Sequence, residues 1–227
     1  MARKTTALTV AFVMAASAAL SHGDVAPQPV NTDALPDVGD EWLTENPYRD
    51  AGDDVWKAAV EIGASGYNQN CARCHGLEVI SGGLAPDLRF LEAEEYGDEW
   101  YMERFISGYT QNGITKMPAF GELLGQKAAW AIRTYIEARP DDEQMAELTP
   151  ELKGLRDELA AWAADPAGAD ADGMKAKLDE IAAGIETLSG APVADSAAYR
   201  ASALIDGSAD GYRRAAEALT IGLSAAH

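Results

Sequence analysis

The chain has 227 residues, room for one domain or for one domain with a sizeable extension, and its 47% hydrophobic and 24% charged residues are ordinary for a soluble protein. Its net charge is -19, and no basic run follows residue 4 beyond isolated pairs. A nucleic-acid binder needs a basic face, so that class is excluded; so acidic a chain is steered instead towards basic partner surfaces.

The chain opens like a secretion signal. Arg3 and Lys4 precede an almost unbroken apolar stretch from Ala7 to Leu20, with small residues at Ala16 and Ala18. The stretch is short for a membrane span, and cleavage is expected somewhere in 18–23. The mature protein is expected to be exported, without a transmembrane anchor, to the periplasm. Residues 24–50 then hold Pro27, Pro29, Pro36 and Pro47, with seven acidic residues against Arg49. This composition predicts an extended acidic arm, which Trp42 and Leu43 can pin to the domain behind it.

From Asp53 a helix is expected to about residue 70. Val55, Trp56, Ala59, Val60, Gly63 and Tyr67 fall at spacings of three and four. Gly63 costs helix stability, which fits either a close helix crossing or a fraying end. Residues 76–90 read as irregular backbone. A second helix is expected over about 98–107, and a third over 125–137, stopped by Pro140. Between them, Gly108 and Gly113 bound a loop that delivers Lys116-Met117-Pro118.

Residues 141–227 differ in character, with seventeen acidic residues against seven basic ones and no cysteine. Thr149-Pro150 reads as a helix start ahead of Leu152, Leu155, Leu159 and Trp162. Met174, Leu178, Ile181, Ile185 and Leu188 form a second periodic run, and Tyr212, Ala216, Leu219 and Leu223 a third. Such helices need a surface to pack on, either a small bundle on the preceding domain or a partner. With no long strand alternation, the fold class expected is all-α.

The most specific pattern is Cys71-Ala72-Arg73-Cys74-His75. Two thiols three positions apart can both add to haem vinyl groups while the adjacent imidazole reaches the iron. A thioredoxin-like motif requires a βαβ context, and a zinc site requires further soft ligands, neither of which the sequence offers. One motif implies one covalent c-type haem, with Cys71 and Cys74 as attachment points and His75 as an iron ligand.

The distal ligand follows by elimination. His22 and His227 lie at the chain's extremes, Met102 sits inside an expected helix, and Met145 and Met174 lie beyond the helix that closes the haem domain. Met117, in a loop and stiffened by Pro118, is the expected sixth ligand. A His–Met pair fills both axial positions, so the expected chemistry is one-electron transfer rather than enzymatic turnover. The Pro86 carbonyl is a candidate acceptor for the second His75 nitrogen. Trp100, Tyr109 and Arg89 are candidates for the haem edge or propionates; core packing for the aromatics and solvent for Arg89 are the alternatives. Arg73 and Lys116 are either docking-rim residues or simply exposed.

Gly63, Tyr67, Cys71-Ala72-Arg73-Cys74-His75, Pro86, Met117-Pro118 and Trp130-Ala131-Ile132-Arg133-Thr134-Tyr135 together resemble a class I cytochrome c. That resemblance implies a crossing of the first and third helices near Gly63, Tyr67, Ile132 and Tyr135, and a hydrogen bond from His75 to the Pro86 carbonyl. Asn46-Pro47-Tyr48-Arg49, Asn68-Gln69-Asn70 and Ser81-Gly82-Gly83-Leu84-Ala85-Pro86-Asp87-Leu88-Arg89 are similar, more narrowly, to the cytochrome c-550 group that serves quinoprotein alcohol dehydrogenases. It implies a periplasmic carrier that takes electrons from a dehydrogenase using pyrroloquinoline quinone (PQQ). The acceptor is then a downstream cytochrome or terminal oxidase. A general respiratory carrier and a structural haem subunit of an oxidoreductase complex are the competing readings. The domain plan expected is a signal at 1–23, an arm at 24–50, a cytochrome c domain at 51–140 and a helical extension at 141–227.

Overall fold

A computed structural model describes residues 27–224. The expected signal at 1–23, with His22, and the terminal His227 lie outside the described residues. Among those described, eight helices and one small hairpin form two apolar cores, one on each side of residue 140.

Helix α1 runs from Asp53 to Asn70, with Asp53 and Asp54 in its first turn, where carboxylates complement the helix dipole. It crosses α4 (Gly121–Glu137) at Gly63 and Gly66. A Cβ on Gly63 would lie 1.9 Å from the Ala131 carbonyl oxygen, so no larger residue permits this approach. A mid-helix glycine costs about 1 kcal/mol, and here it admits a close helix crossing. Beside it the rings of Tyr67 and Tyr135 stand 5.4 Å apart. Tyr67, Ala131, Ile132 and Tyr135 are all buried, at the crossing that the resemblance implied.

The third member of this core is α3, Glu95–Ser107, which begins three residues before the expected start. It lays Tyr101, Met102 and Phe105 against α4, and Tyr101 donates its hydroxyl to the Ala129 carbonyl at 3.0 Å. The segment that follows is a two-stranded antiparallel hairpin, β1 (Tyr109–Gln111) and β2 (Ile114–Met117). Its turn is Asn112-Gly113, both at positive φ (53° and 74°), the pairing that tight hairpin turns favour. The strands are too short to show an alternating pattern.

The arm is anchored differently from expectation. Trp42 and Leu43 are each 37% exposed, whereas Leu35, Asn46 and Tyr48 are buried. The Gln126 side-chain amide donates to the carbonyls of Gly39 (2.6 Å) and Glu41 (2.8 Å) and accepts from the Leu43 N–H (3.2 Å). The Gln126 side chain, gripping the backbone of Gly39, Glu41 and Leu43, therefore fastens this stretch, with Trp42 and Leu43 partly exposed beside it.

Beyond α4 lie α5 (Asp142–Ala164), α6 (Ala171–Ala183), α7 (Ala197–Leu204) and α8 (Ala209–Ser224). Helix α5 is capped by Asp141, whose carboxylate accepts from the Glu143 N–H at 2.9 Å, and it passes through Pro150. An interior proline costs about 3 kcal/mol. Met145, Leu152, Leu155 and Leu159 are buried on the same helix, and their burial offsets that cost. Leu178, Ala201, Tyr212 and Leu219 complete a dry core. The seam to the first core is made by backbone, Ala93 N–H to Ser189 C=O (2.9 Å) and Ala194 N–H to Ala138 C=O (3.2 Å), and by side chains, the Ser189 hydroxyl to the Glu137 carbonyl and the Arg89–Asp142 pair. No helix among the described residues is long and apolar enough to cross a membrane.

Candidate haem site

The cysteine–histidine motif continues α1. Cys71 N–H donates to the Tyr67 carbonyl (2.7 Å), and Cys74 N–H and His75 N–H both donate to the Cys71 carbonyl (3.1 and 3.0 Å). Ala72–His75 is thereby wound into a single helical turn, α2, which sets Cys71 and Cys74 three residues apart and His75 next along the chain. The two cysteines are not joined to each other. Burial, assisted by Cys74, pushes the Cys71 thiol, when free, up to about 12.

His75 is buried, and its Nδ1 lies 2.8 Å from the Pro86 carbonyl oxygen. A carbonyl only accepts, so this contact fixes the proton on Nδ1 and leaves the Nε2 lone pair for a metal. Burial lowers the His75 pKa against the opposing pull of the Pro86 bond and of Asp87, favouring the neutral, ligating imidazole. Gly76 turns the chain away at φ 87°, where a Cβ would meet the Ile80 carbonyl at 1.8 Å. Its own carbonyl accepts from the buried Tyr67 hydroxyl at 2.8 Å.

Met117 ends β2, half-buried and packed against the first core. Gly108, at φ 67°, lies directly behind it; a Cβ there would fall 2.5 Å from the Met117 carbonyl oxygen and 2.8 Å from the Ala119 nitrogen. The Phe120 N–H donates to the Phe105 carbonyl (2.8 Å), closing the loop on α3. Met102 is buried in the first core, and Met145 and Met174 in the second.

This donor set suits haem. Seven of the eleven large apolar side chains exposed among the described residues lie between 77 and 123, including Leu77, Leu84, Phe90, Ile114 and Leu123. Such apolar surface on the segments that carry His75 and Met117 matches a porphyrin rather than a bare ion. No group of His, Cys, Asp and Glu among the described residues could hold a metal on its own.

The other candidates divide. Arg89 is buried, neither solvated nor turned to an open edge: its Nε and Nη2 donate to Asp87 (3.0 and 2.6 Å), and its Nη1 meets Asp142 of α5 at 2.8 Å as an ion pair rather than an aligned hydrogen bond. Trp100 and Tyr109 flank Arg104, whose Cζ lies 5.5 and 5.2 Å from their ring centroids. Arg73 and Lys116 are exposed.

Sequence reasoning missed a buried ionic network. Asp98 accepts from Arg133 (2.8 Å) and Arg49 (2.9 Å), while Glu137 accepts from Arg49 (2.8 Å) and Asn46 (3.1 Å). Arg133, Asp98 and Glu137 are fully buried. The one signal was an arginine set between Ile132 and Tyr135 on a core-facing helix.

Residues 58–136 match the family described as cytochrome c oxidase, cbb3-type, subunit III. Over 138 residues the chain is 52% identical to cytochrome c550 of Pseudomonas aeruginosa, covering 60% of this chain and 93% of that protein. The chain belongs to the cytochrome c550 family. As a c550-type cytochrome it carries covalently bound haem c and is an electron-transfer protein, not an enzyme. It is also 32% identical over 85 residues to quinohemoprotein alcohol dehydrogenase ADH-IIG of Pseudomonas putida, and 32% identical over 87 residues to ADH IIB of the same species. These matches cover 37% and 38% of this chain but only 11% and 12% of the enzymes. No solved structure gave a significant match. The mostly helical fold agrees with the all-α class expected from sequence.

Proposed function

We propose that this cytochrome is a periplasmic carrier whose single haem is joined through Cys71 and Cys74, ligated by His75 and Met117, and reduced by a PQQ-dependent alcohol dehydrogenase. The observation that carries the ligand set is the 2.8 Å approach of His75 Nδ1 to the Pro86 carbonyl, which reserves Nε2 for iron. Met117 is favoured because the other described methionines are committed to the two cores. When bound, the haem supplies one-electron exchange between Fe(III) and Fe(II). The protein's part would be to keep the His75 and Met117 donors in place: Pro86 orients His75, Gly76 and Tyr67 hold the turn behind it, and Gly108 backs the Met117 loop.

The donor assignment draws on two relatives being quinohemoprotein alcohol dehydrogenases and on the acidic charge of the chain, which favours a basic docking face. Encounters of this type are small and transient. Electrons leave to a downstream cytochrome or terminal oxidase. The residue plan is a signal at 1–23, an arm at 24–50, a cytochrome domain at 51–140 and an extension at 141–227. Stopped-flow mixing with a reduced PQQ alcohol dehydrogenase is expected to reduce the haem at least as fast as the enzyme turns over; reduction far slower than turnover rejects that donor.

A second reading, a haem subunit held permanently in an oxidoreductase complex, is favoured by the match to a family described as an oxidase subunit. Sedimentation of the mature protein with candidate partners separates the two, since a mobile carrier forms no lasting complex.

A further inference from the structure

Helix α5 begins the extension, beyond the residues 58–136 that match the family, and its first residue reaches back to the proximal side of the haem site. Asp142 Oδ1 pairs with Arg89 Nη1 at 2.8 Å. The other edge of the same guanidinium holds both carboxylate oxygens of Asp87 through Nε and Nη2, and the Asp87 carboxylate also accepts from the Arg89 backbone N–H at 3.0 Å. Asp87 directly follows Pro86, whose carbonyl accepts from His75.

A second tie meets the other end of this segment. Arg139, just after α4, pairs with Glu78 at 3.3 Å and stacks 5.0 Å from the Tyr135 ring. Glu78 and Val79 both stand at positive φ (55° and 67°), a strained backbone for residues with side chains and most of all for a β-branched one. Segment 78–89 is therefore gripped at both ends from the side where the extension joins.

From this geometry we infer that Asp142 is a positioning residue for electron transfer: through Arg89 and Asp87 it fixes the Pro86 carbonyl on His75, and its charge helps set the reduction potential. The extension thus takes part in tuning the haem. The inference rests on His75 being the iron ligand. The sign follows from charge. The oxidised centre carries one more positive charge than the reduced one, so a nearby carboxylate favours Fe(III) and its removal favours Fe(II). The Asp142 side chain is 38% exposed, so solvent screening keeps the effect modest.

The test is spectroelectrochemical titration of the holoprotein and of the variants Asp142→Asn, Asp142→Glu and Glu143→Gln. Glu143 carries the same charge one residue further along the same first turn and is exposed. Asp142→Asn is expected to shift the Fe(III)/Fe(II) equilibrium twofold to tenfold towards Fe(II), about 18 to 59 mV for a one-electron couple. Asp142→Glu is expected to recover most of that shift, and Glu143→Gln to leave the potential near the wild-type value. An unchanged potential in Asp142→Asn, or an equal shift in Glu143→Gln, overturns the inference. The long-wavelength methionine–iron band, recorded on the same samples, keeps the two readings apart. Its absence from the wild-type spectrum counts against the Met117 assignment, whereas an intact band with an unmoved potential counts against Asp142 alone.

Discussion

Ser189 donates its hydroxyl to the main-chain carbonyl of Glu137 at 2.5 Å, where both residues are buried. The carboxylate of the same Glu137 receives Asn46 and Arg49 from the arm. One residue at the end of α4 thus joins the arm to the extension. Ser189→Ala leaves a buried carbonyl without this donor, and a loss of about 1–3 kcal/mol is expected. Urea denaturation of the holoprotein measures it as a lower midpoint.

The ionic network ties the arm to α3 and α4 through Arg49 and Asn46, and Arg133 joins α4 to α3 within it. Arg133→Ala removes one of the two arginines that hold the buried Asp98, leaving Arg49 alone to compensate it, at an expected cost of up to about 3–5 kcal/mol. A variant that melts within a degree of wild type would show that the network is not needed for stability.

Gly108 separates backbone strain from ligand chemistry. Gly108→Ala places a Cβ in van der Waals overlap with the Met117–Ala119 backbone at a φ that alanine adopts poorly. The expected result is a weakened methionine–iron band, seen by visible absorption, with the haem still attached. Gly113→Ala, at φ 74° but with open space around it, serves as the comparison and is expected to preserve the band.

Asp87 contributes to acid sensitivity. Burial raises its pKa, but the hydrogen bonds and charge of Arg89 outweigh that and hold it below the usual carboxylate range. A depressed folded pKa stabilises fully above the unfolded value, about 3.9, and that contribution disappears as pH falls through the folded value. Arg89→Gln is therefore expected to move the acid-unfolding midpoint of the holoprotein upwards in pH, as followed by circular dichroism.

The extension has a core of its own that shares no residue with the haem core. Haem-free protein is accordingly expected to lose the helical signal of α1 to α4 and to retain that of α5 to α8, with its own melting transition. Circular dichroism of the apo-protein that shows neither residual helix nor a transition would contradict this.

What was legible in the sequence was local chemistry. Cys71, Cys74 and His75 stand out because theirs is the spacing that covalent haem attachment requires, and Gly63 because a glycine inside an apolar periodic run invites a steric reason. The Asn112-Gly113 turn carried a hairpin signal that was lost, since strands of three and four residues have too little alternation to read. Asp98 looked like a helix start and Thr149-Pro150 like another. The first is buried against Arg133, and the second lies inside α5 because tertiary burial outweighs the proline. Beside local partners such as Asp87, Arg89 reaches Asp142 of the extension, and Arg133 and Glu137 have partners 35 to 91 positions away; no local pattern encodes those distant partners.

The most direct measurement is the visible spectrum of the ferric holoprotein beside that of Met117→Ala. The account predicts the weak long-wavelength methionine–iron band in the wild type and its loss in the variant, with haem still bound through Cys71 and Cys74. A band that survives the substitution, or a wild-type spectrum without it, would contradict the His75–Met117 ligand pair.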